Sequence, residues 1–173
     1  NVRLPAAREK LRGPDRAVTQ HLRNTSTWRQ EADRFAPTTF TRAAQWLERN
    51  HDNGPFFLHV DPFDPHEPWD PPEWYVDKYD PGYSGDKVTY PIYGYWQDFM
   101  SRSELRHAHA CYCGEVSMVD HWLGVILDTM DRLDLWQNTA LLFLSDHGFY
   151  FGEHGIIGKS IIEENGPASP HPL

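Results

Sequence analysis

Asn138-Thr139-Ala140-Leu141-Leu142-Phe143-Leu144-Ser145-Asp146-His147-Gly148 is the stretch whose reading decides the fold class. Five apolar residues without a break read as a short strand buried on both faces, the form that parallel strands take in layered α/β sheets. The run ends directly in an ionisable loop, and in open α/β sheets ligands bind beyond the carboxyl ends of the strands. Asn138 and Thr139 separate the run from a long helical pattern upstream. There Leu105, Tyr112, Val116, Val119, Leu123, Ile126, Met130 and Leu133 recur at a spacing of three or four over about eight turns. Ser101 and Glu104 form a capping box that opens this helix.

The same grammar occurs once before. Pro37 opens a helical stretch whose Phe40, Ala43, Ala44 and Leu47 share a face, and Asn53-Gly54-Pro55 ends it. Phe56-Phe57-Leu58-His59-Val60 follows as a second buried strand and runs into Asp61, Asp64 and His66. Helix, strand, loop, long helix, strand, loop predicts parallel strands joined by right-handed helical crossovers, hence an α/β layered sheet. Neighbouring strands would set the two ionisable loops across one crevice, with His66, Asp146, His147 and Lys159 around it.

Between Pro55 and Pro91 lie eight of the fourteen prolines, so that segment cannot be regular throughout. It reads as a long ordered loop with one helical turn near Glu73–Lys78, and loops of that length are usually functional. Its Trp and Tyr residues from Trp69 to Phe99 suit stacking on a sugar ring or packing of the loop itself. Residues 1–37 read as a loop-rich lead-in with a short helix around Ala6–Leu11, and the Pro-rich end reads as a truncated tail over 166–173. The chain has 173 residues, within the range of one domain or a piece of a larger one.

Sixteen Lys and Arg against twenty-five Asp and Glu leave a net charge of −9, which argues against a nucleic-acid partner. The densest apolar run is far too short to span a bilayer. Cys111 and Cys113, two apart on a helix, face different directions and read as partly buried thiols.

The ionisable residues carry the chemistry. A carboxylate directly after a buried strand is expensive unless paired, so Asp146-His147 suits a bound cation, or alternatively caps a turn. His66 sits between Pro65 and Glu67-Pro68, where a rigid turn would hold its ring in one orientation as a donor or general acid. Lys159, after Gly155 and Gly158, places a cation for an anionic substrate or lies on the surface.

Taken in order, Phe56-Phe57-Leu58-His59-Val60, then Pro65-His66-Glu67-Pro68, the long helix, and Leu142-Phe143-Leu144-Ser145-Asp146-His147-Gly148 through Gly152-Glu153-His154-Gly155-Ile156-Ile157-Gly158-Lys159 closely resemble the sulfatases of the alkaline phosphatase superfamily. The resemblance implies that residues 38–165 are the central and later part of a catalytic domain, an α/β/α sandwich with a largely parallel sheet. It implies that Asp146 and His147 are metal ligands. The cation would be calcium foremost, with manganese or zinc as alternatives. It implies that His66 hydrogen-bonds the ester and assists its leaving oxygen, that Lys159 contacts the sulfate, and that His154 shapes the site or neighbours the substrate. The substrate would be a sulfated small molecule or carbohydrate.

The departures are equally specific. The family's early metal-binding aspartates and its Cys/Ser-x-Pro/Ala-x-Arg motif, the source of the formylglycine nucleophile, do not occur here. Cys111-Tyr112-Cys113-Gly114 lies in mid-helix and does not match. Formylglycine is therefore expected N-terminal to this chain, which alone would be inactive and would leave apolar strand faces uncovered. A phosphoric or phosphonic ester hydrolase of the same superfamily, or a non-catalytic piece, are the alternatives.

Overall fold

The computed structural model describes residues 2–159. Four α-helices carry the architecture: α1 (Thr19–Asn24), α2 (Phe35–Asn50), α3 (Glu73–Val76) and α4 (Arg102–Arg132). The capping box forms as read: Ser101 Oγ accepts from Glu104 N at 3.2 Å, and Ser101 N donates to Glu104 Oε2 at 2.7 Å. The lead-in is more ordered than a loop. A 3-10 turn at Arg8–Lys10 and a π-helical turn at Pro14–Val18 precede α1.

The long helix serves two cores. Its later half buries Val119, Ile126 and Met130 against Ala36, Phe40, Ala43 and Leu47 of α2. Each large apolar side chain there contributes about 2 kcal/mol by leaving water. Its earlier half packs Ala108, Ala110 and Cys111 with Leu11, Val18, Trp69, Val76, Val88 and Ile157. Gly114 permits the second packing, because a Cβ there would come within 2.9 Å of the Pro71 ring and 3.3 Å of Val76 N. The buried face of this half also carries Glu104, His107 and Glu115, which a purely apolar periodicity does not reveal. Burial raises the Glu115 carboxyl well above its ordinary range, with Asp64 and Asp70 adding to the effect. Burial also pushes the Cys111 thiol up to about 12, so it behaves as a small apolar group.

Helix and sheet are both present, but parallel character is not shown. The paired strands among the described residues are β1 (Gly94–Tyr95), β2 (Tyr150–Phe151) and β3 (Ile156–Gly158), antiparallel and ordered β1-β3-β2. They form within segments expected as loops. The two expected strands are not paired: neither 56–60 nor 140–144 makes a backbone hydrogen bond to another described residue. The earlier segment still alternates as a strand does. Phe56, Leu58 and Val60 pack on the α2–α4 core, while Phe57 is 91% exposed. In the later one Leu142, Phe143 and Leu144 are 76%, 70% and 81% exposed. An apolar run reports a strand's affinity for a layer, and pairing additionally needs a neighbour at hydrogen-bonding distance.

No helix among the described residues is long and apolar enough to cross a membrane. The expected tail at 166–173 and the last six residues of the 38–165 segment lie outside the described residues.

Candidate functional site

The loop that carries His66 is tied to α2 by a carboxylate. Asp64 Oδ2 accepts from Ala36 N at 2.8 Å, satisfying an amide at the helix N-terminus that has no partner within the helix. Burial raises the Asp64 carboxyl from 3.8 to about 6, with the Ala36 amide opposing the shift. A folded-state value above the unfolded one means protonation favours the fold. That contribution is present below about pH 4 and lost as pH rises through about 6, and it amounts to about 3 kcal/mol. Asp64→Asn keeps an acceptor for Ala36 without the charge. It is expected to raise the unfolding free energy at pH 7 relative to that at pH 4 by about that amount, measured by urea denaturation; an unchanged difference would refute the assignment.

Further ties fix the loop's far end. Asp70 N donates to the buried Glu115 Oε1 at 2.9 Å, and His21 Nε2 lies 2.9 Å from Asp70 Oδ2. Between these anchors, His66 is half-buried against Phe63, with ring centroids 4.7 Å apart. Its Nδ1 is 2.9 Å from the Glu67 carbonyl oxygen, a contact that places the ring proton on Nδ1. Nε2 is then an acceptor, and Lys159 Nζ stands 2.7 Å from it.

Lys159 is placed by β3. Ile156, Ile157 and Gly158 are all buried, so the residue after them emerges at a fixed point. Gly158 is required there. Its φ is +98°, and a Cβ would fall 2.2 Å from the Tyr93 ring. Phe149 joins the two loops: His66 and His147 both meet its ring edge-on at 6.0 and 5.7 Å, and Lys159 Nζ lies 4.9 Å from its centroid. His66, His147 and Lys159 thus gather around one aromatic ring, with Asp146 adjoining through His147.

Asp146 and His147 present two electron-pair donors toward each other. His147 Nδ1 is 3.2 Å from the Gly148 carbonyl, which leaves the lone pair on Nε2. That atom is 3.5 Å from Asp146 Oδ2, and the Asp146 side chain is 86% exposed. A lone pair facing a carboxylate oxygen suits a shared cation, so the donor chemistry fits a divalent ion as two of its ligands. Among the described residues no group of three or more His, Cys, Asp or Glu is arranged to hold a metal.

His154 is exposed in the turn between β2 and β3, in left-handed backbone with φ 55°, its ring edge-on to Tyr150. Asp61 is also exposed. The sequence reading missed Glu67, Arg12, Tyr93 and Phe149. Glu67 is 1% exposed, and its Oε1 accepts from the Arg12 guanidinium and the Tyr93 hydroxyl. A glutamate between a histidine and a proline signals nothing about burial; one Arg among the many of the lead-in signals still less.

A family model described as Sulfatase matches residues 9–171. The chain is 29% identical over 141 residues to an arylsulfatase of Clostridium perfringens, covering 72% of this chain and 28% of that protein. It is 26% identical over 148 residues to the multifunctional alkaline phosphatase superfamily protein PehA of Trinickia caryophylli, covering 70% and 29% respectively. It is 30% identical over 127 residues to a mouse iduronate 2-sulfatase, covering 58% and 23%. The chain therefore spans under a third of the length of these relatives. No solved structure matches it.

Proposed function

Because the chain belongs to the sulfatase family, we propose that the whole protein hydrolyses sulfate esters and that this chain supplies the groups that grip and polarise the ester. The carrying observation is the 2.7 Å contact between His66 Nε2 and Lys159 Nζ beside Phe149. It brings a cation and an imidazole to one point, where a tetrahedral anion would receive a hydrogen bond from Lys159 and, once Nε2 also carries a proton, from His66. Lys159 would neutralise charge on the sulfate oxygens, and His66 would protonate the departing oxygen. Asp146 and His147 would hold a divalent cation, calcium foremost, as two of its ligands. Bound there, that cation would supply Lewis-acid polarisation of the sulfate and of an attacking formylglycine hydrate, which no residue here provides.

A groove of about 580 Å³ opens beside His66, lined in part by Phe35, Phe63 and Tyr90 together with Arg16, Gln20 and Asn24. Aromatic walls with amides and a guanidinium suit a polar ring, in keeping with a sulfated carbohydrate or aryl sulfate. A phosphoric or phosphonic ester is the second reading, favoured by the similarity to PehA. The whole protein, assayed on 4-nitrophenyl sulfate and 4-nitrophenyl phosphate, is expected to favour the sulfate by at least about tenfold in kcat/KM, an amount within reach of differential transition-state binding. Preference for the phosphate would establish the second reading, and turnover of neither would establish a non-catalytic role.

A further inference from the structure

We propose that Glu67 is a positioning residue that holds the His66 ring by its Nδ1 edge and supplies the negative charge that lets His66 act as proton donor through Nε2. The proposal rests on the sulfate-ester reading above and extends it to a residue that never meets the substrate.

A histidine beside a lysine has an electrostatic difficulty. His66 Nε2 is 2.7 Å from Lys159 Nζ, so an imidazolium there would face an ammonium at hydrogen-bond distance. Two such cations repel, and an anion facing the ring's other edge offsets that repulsion. Glu67 is that anion. Its Oε2 lies 3.2 Å from His66 Nδ1. Oε2 is buried without a hydrogen-bond partner among the described residues, while Oε1 is engaged by both Arg12 and Tyr93. A buried carboxylate oxygen without a partner is costly, and a charge on the neighbouring ring, added to that of Arg12, offsets the cost.

The support behind Glu67 is built from distant parts of the chain. The Arg12 guanidinium stacks over Tyr93 at 4.1 Å and over Tyr90 at 4.4 Å. The Tyr93 ring in turn lies against Gly158, directly before Lys159. One assembly therefore sets both members of the His66–Lys159 pair, and it gives the lead-in segment a role at the site. In the step served, the bond from sulfur to the leaving oxygen breaks and its electron pair stays on that oxygen. His66 Nε2 gives its proton to that oxygen, and the sulfuryl group passes to the oxygen nucleophile.

General acid help matters most when the leaving group is a poor one. The test compares an alkyl sulfate with 4-nitrophenyl sulfate in the whole protein, using His66→Gln as reference. Glu67→Gln is expected to lower kcat on the alkyl ester at least about tenfold more than on the nitrophenyl ester, with little change in KM. A purely structural role would lower both alike, and equal losses in Glu67→Gln beside a selective loss in His66→Gln would overturn the proposal. No selectivity in His66→Gln itself would overturn the donor role of His66 and the proposal with it. Absence of turnover on either ester by the unsubstituted protein would instead refute the sulfate-ester reading. Glu67→Gln leaves the Arg12 charge unpaired, so Arg12→Gln with Glu67→Gln removes both charges together and is expected to show the same selectivity. Nitrogen NMR of His66 in the unsubstituted protein needs no variant. Protons on both ring nitrogens support the arrangement, and a neutral ring overturns it.

Discussion

Asp146→Ala in the whole protein is expected to abolish stoichiometric divalent-metal binding and to lower turnover of sulfate esters on the order of a thousandfold or more. The expectation follows from the donor pair. Asp146 Oδ2 and His147 Nε2 lie 3.5 Å apart, each offering a lone pair, and the Gly148 carbonyl holds the imidazole in the tautomer that leaves Nε2 free. Removing the carboxylate takes away both a ligand and the negative charge that offsets the cation. A lost Lewis acid forfeits several kcal/mol of transition-state stabilisation, and about 4 kcal/mol corresponds to a thousandfold. The side chain is 86% exposed, so no core cavity accompanies the loss and the fold should survive. Elemental analysis of the purified variant separates the outcomes. Full metal occupancy in Asp146→Ala would remove Asp146 and His147 from the metal assignment altogether.

The helices were legible and the sheet was not, for different physical reasons. Ser101 and Glu104 announce the start of α4 because capping is local chemistry, complete within four residues. The Phe40–Leu47 face of α2 is likewise a periodicity that needs no partner to be read. Ala140–Leu144 and Phe56–Val60 carry the apolar character of strands, but pairing is a property of two segments, and neither segment is paired with another described residue. Tyr150–Phe151 and Ile156–Gly158 were hidden for the converse reason. Glycines at 148, 152, 155 and 158 read as a loop, whereas Gly152 and Gly155 lie in the turn between two short antiparallel strands. At the site, His66, Lys159, Asp146 and His147 were legible as ionisable residues in stiff or glycine-bounded turns. Glu67, Arg12 and Tyr93 were not, since their contacts span 26 to 55 residues and leave no local trace.

Lys159→Ala is expected to lower turnover on sulfate esters by about a hundredfold or more while the protein remains folded. The loss of one preorganised donor at a centre of developing negative charge typically has that effect. The structure adds a packing contribution that must be separated from the charge. The lysine is half-buried, and its ammonium lies 4.9 Å from the Phe149 ring centroid and 2.7 Å from His66 Nε2. Lys159→Met keeps an unbranched stem over Phe149 and removes only the cation. If the charge is what serves the reaction, Met and Ala at this position lose activity alike, and inorganic sulfate binds weakly to both. If the stem is what matters, Met restores most of the turnover. Turnover unchanged in Lys159→Ala would make the 2.7 Å contact with His66 an incidental surface pair, and the reading of His66 and Lys159 as a shared grip on the sulfate would fall with it.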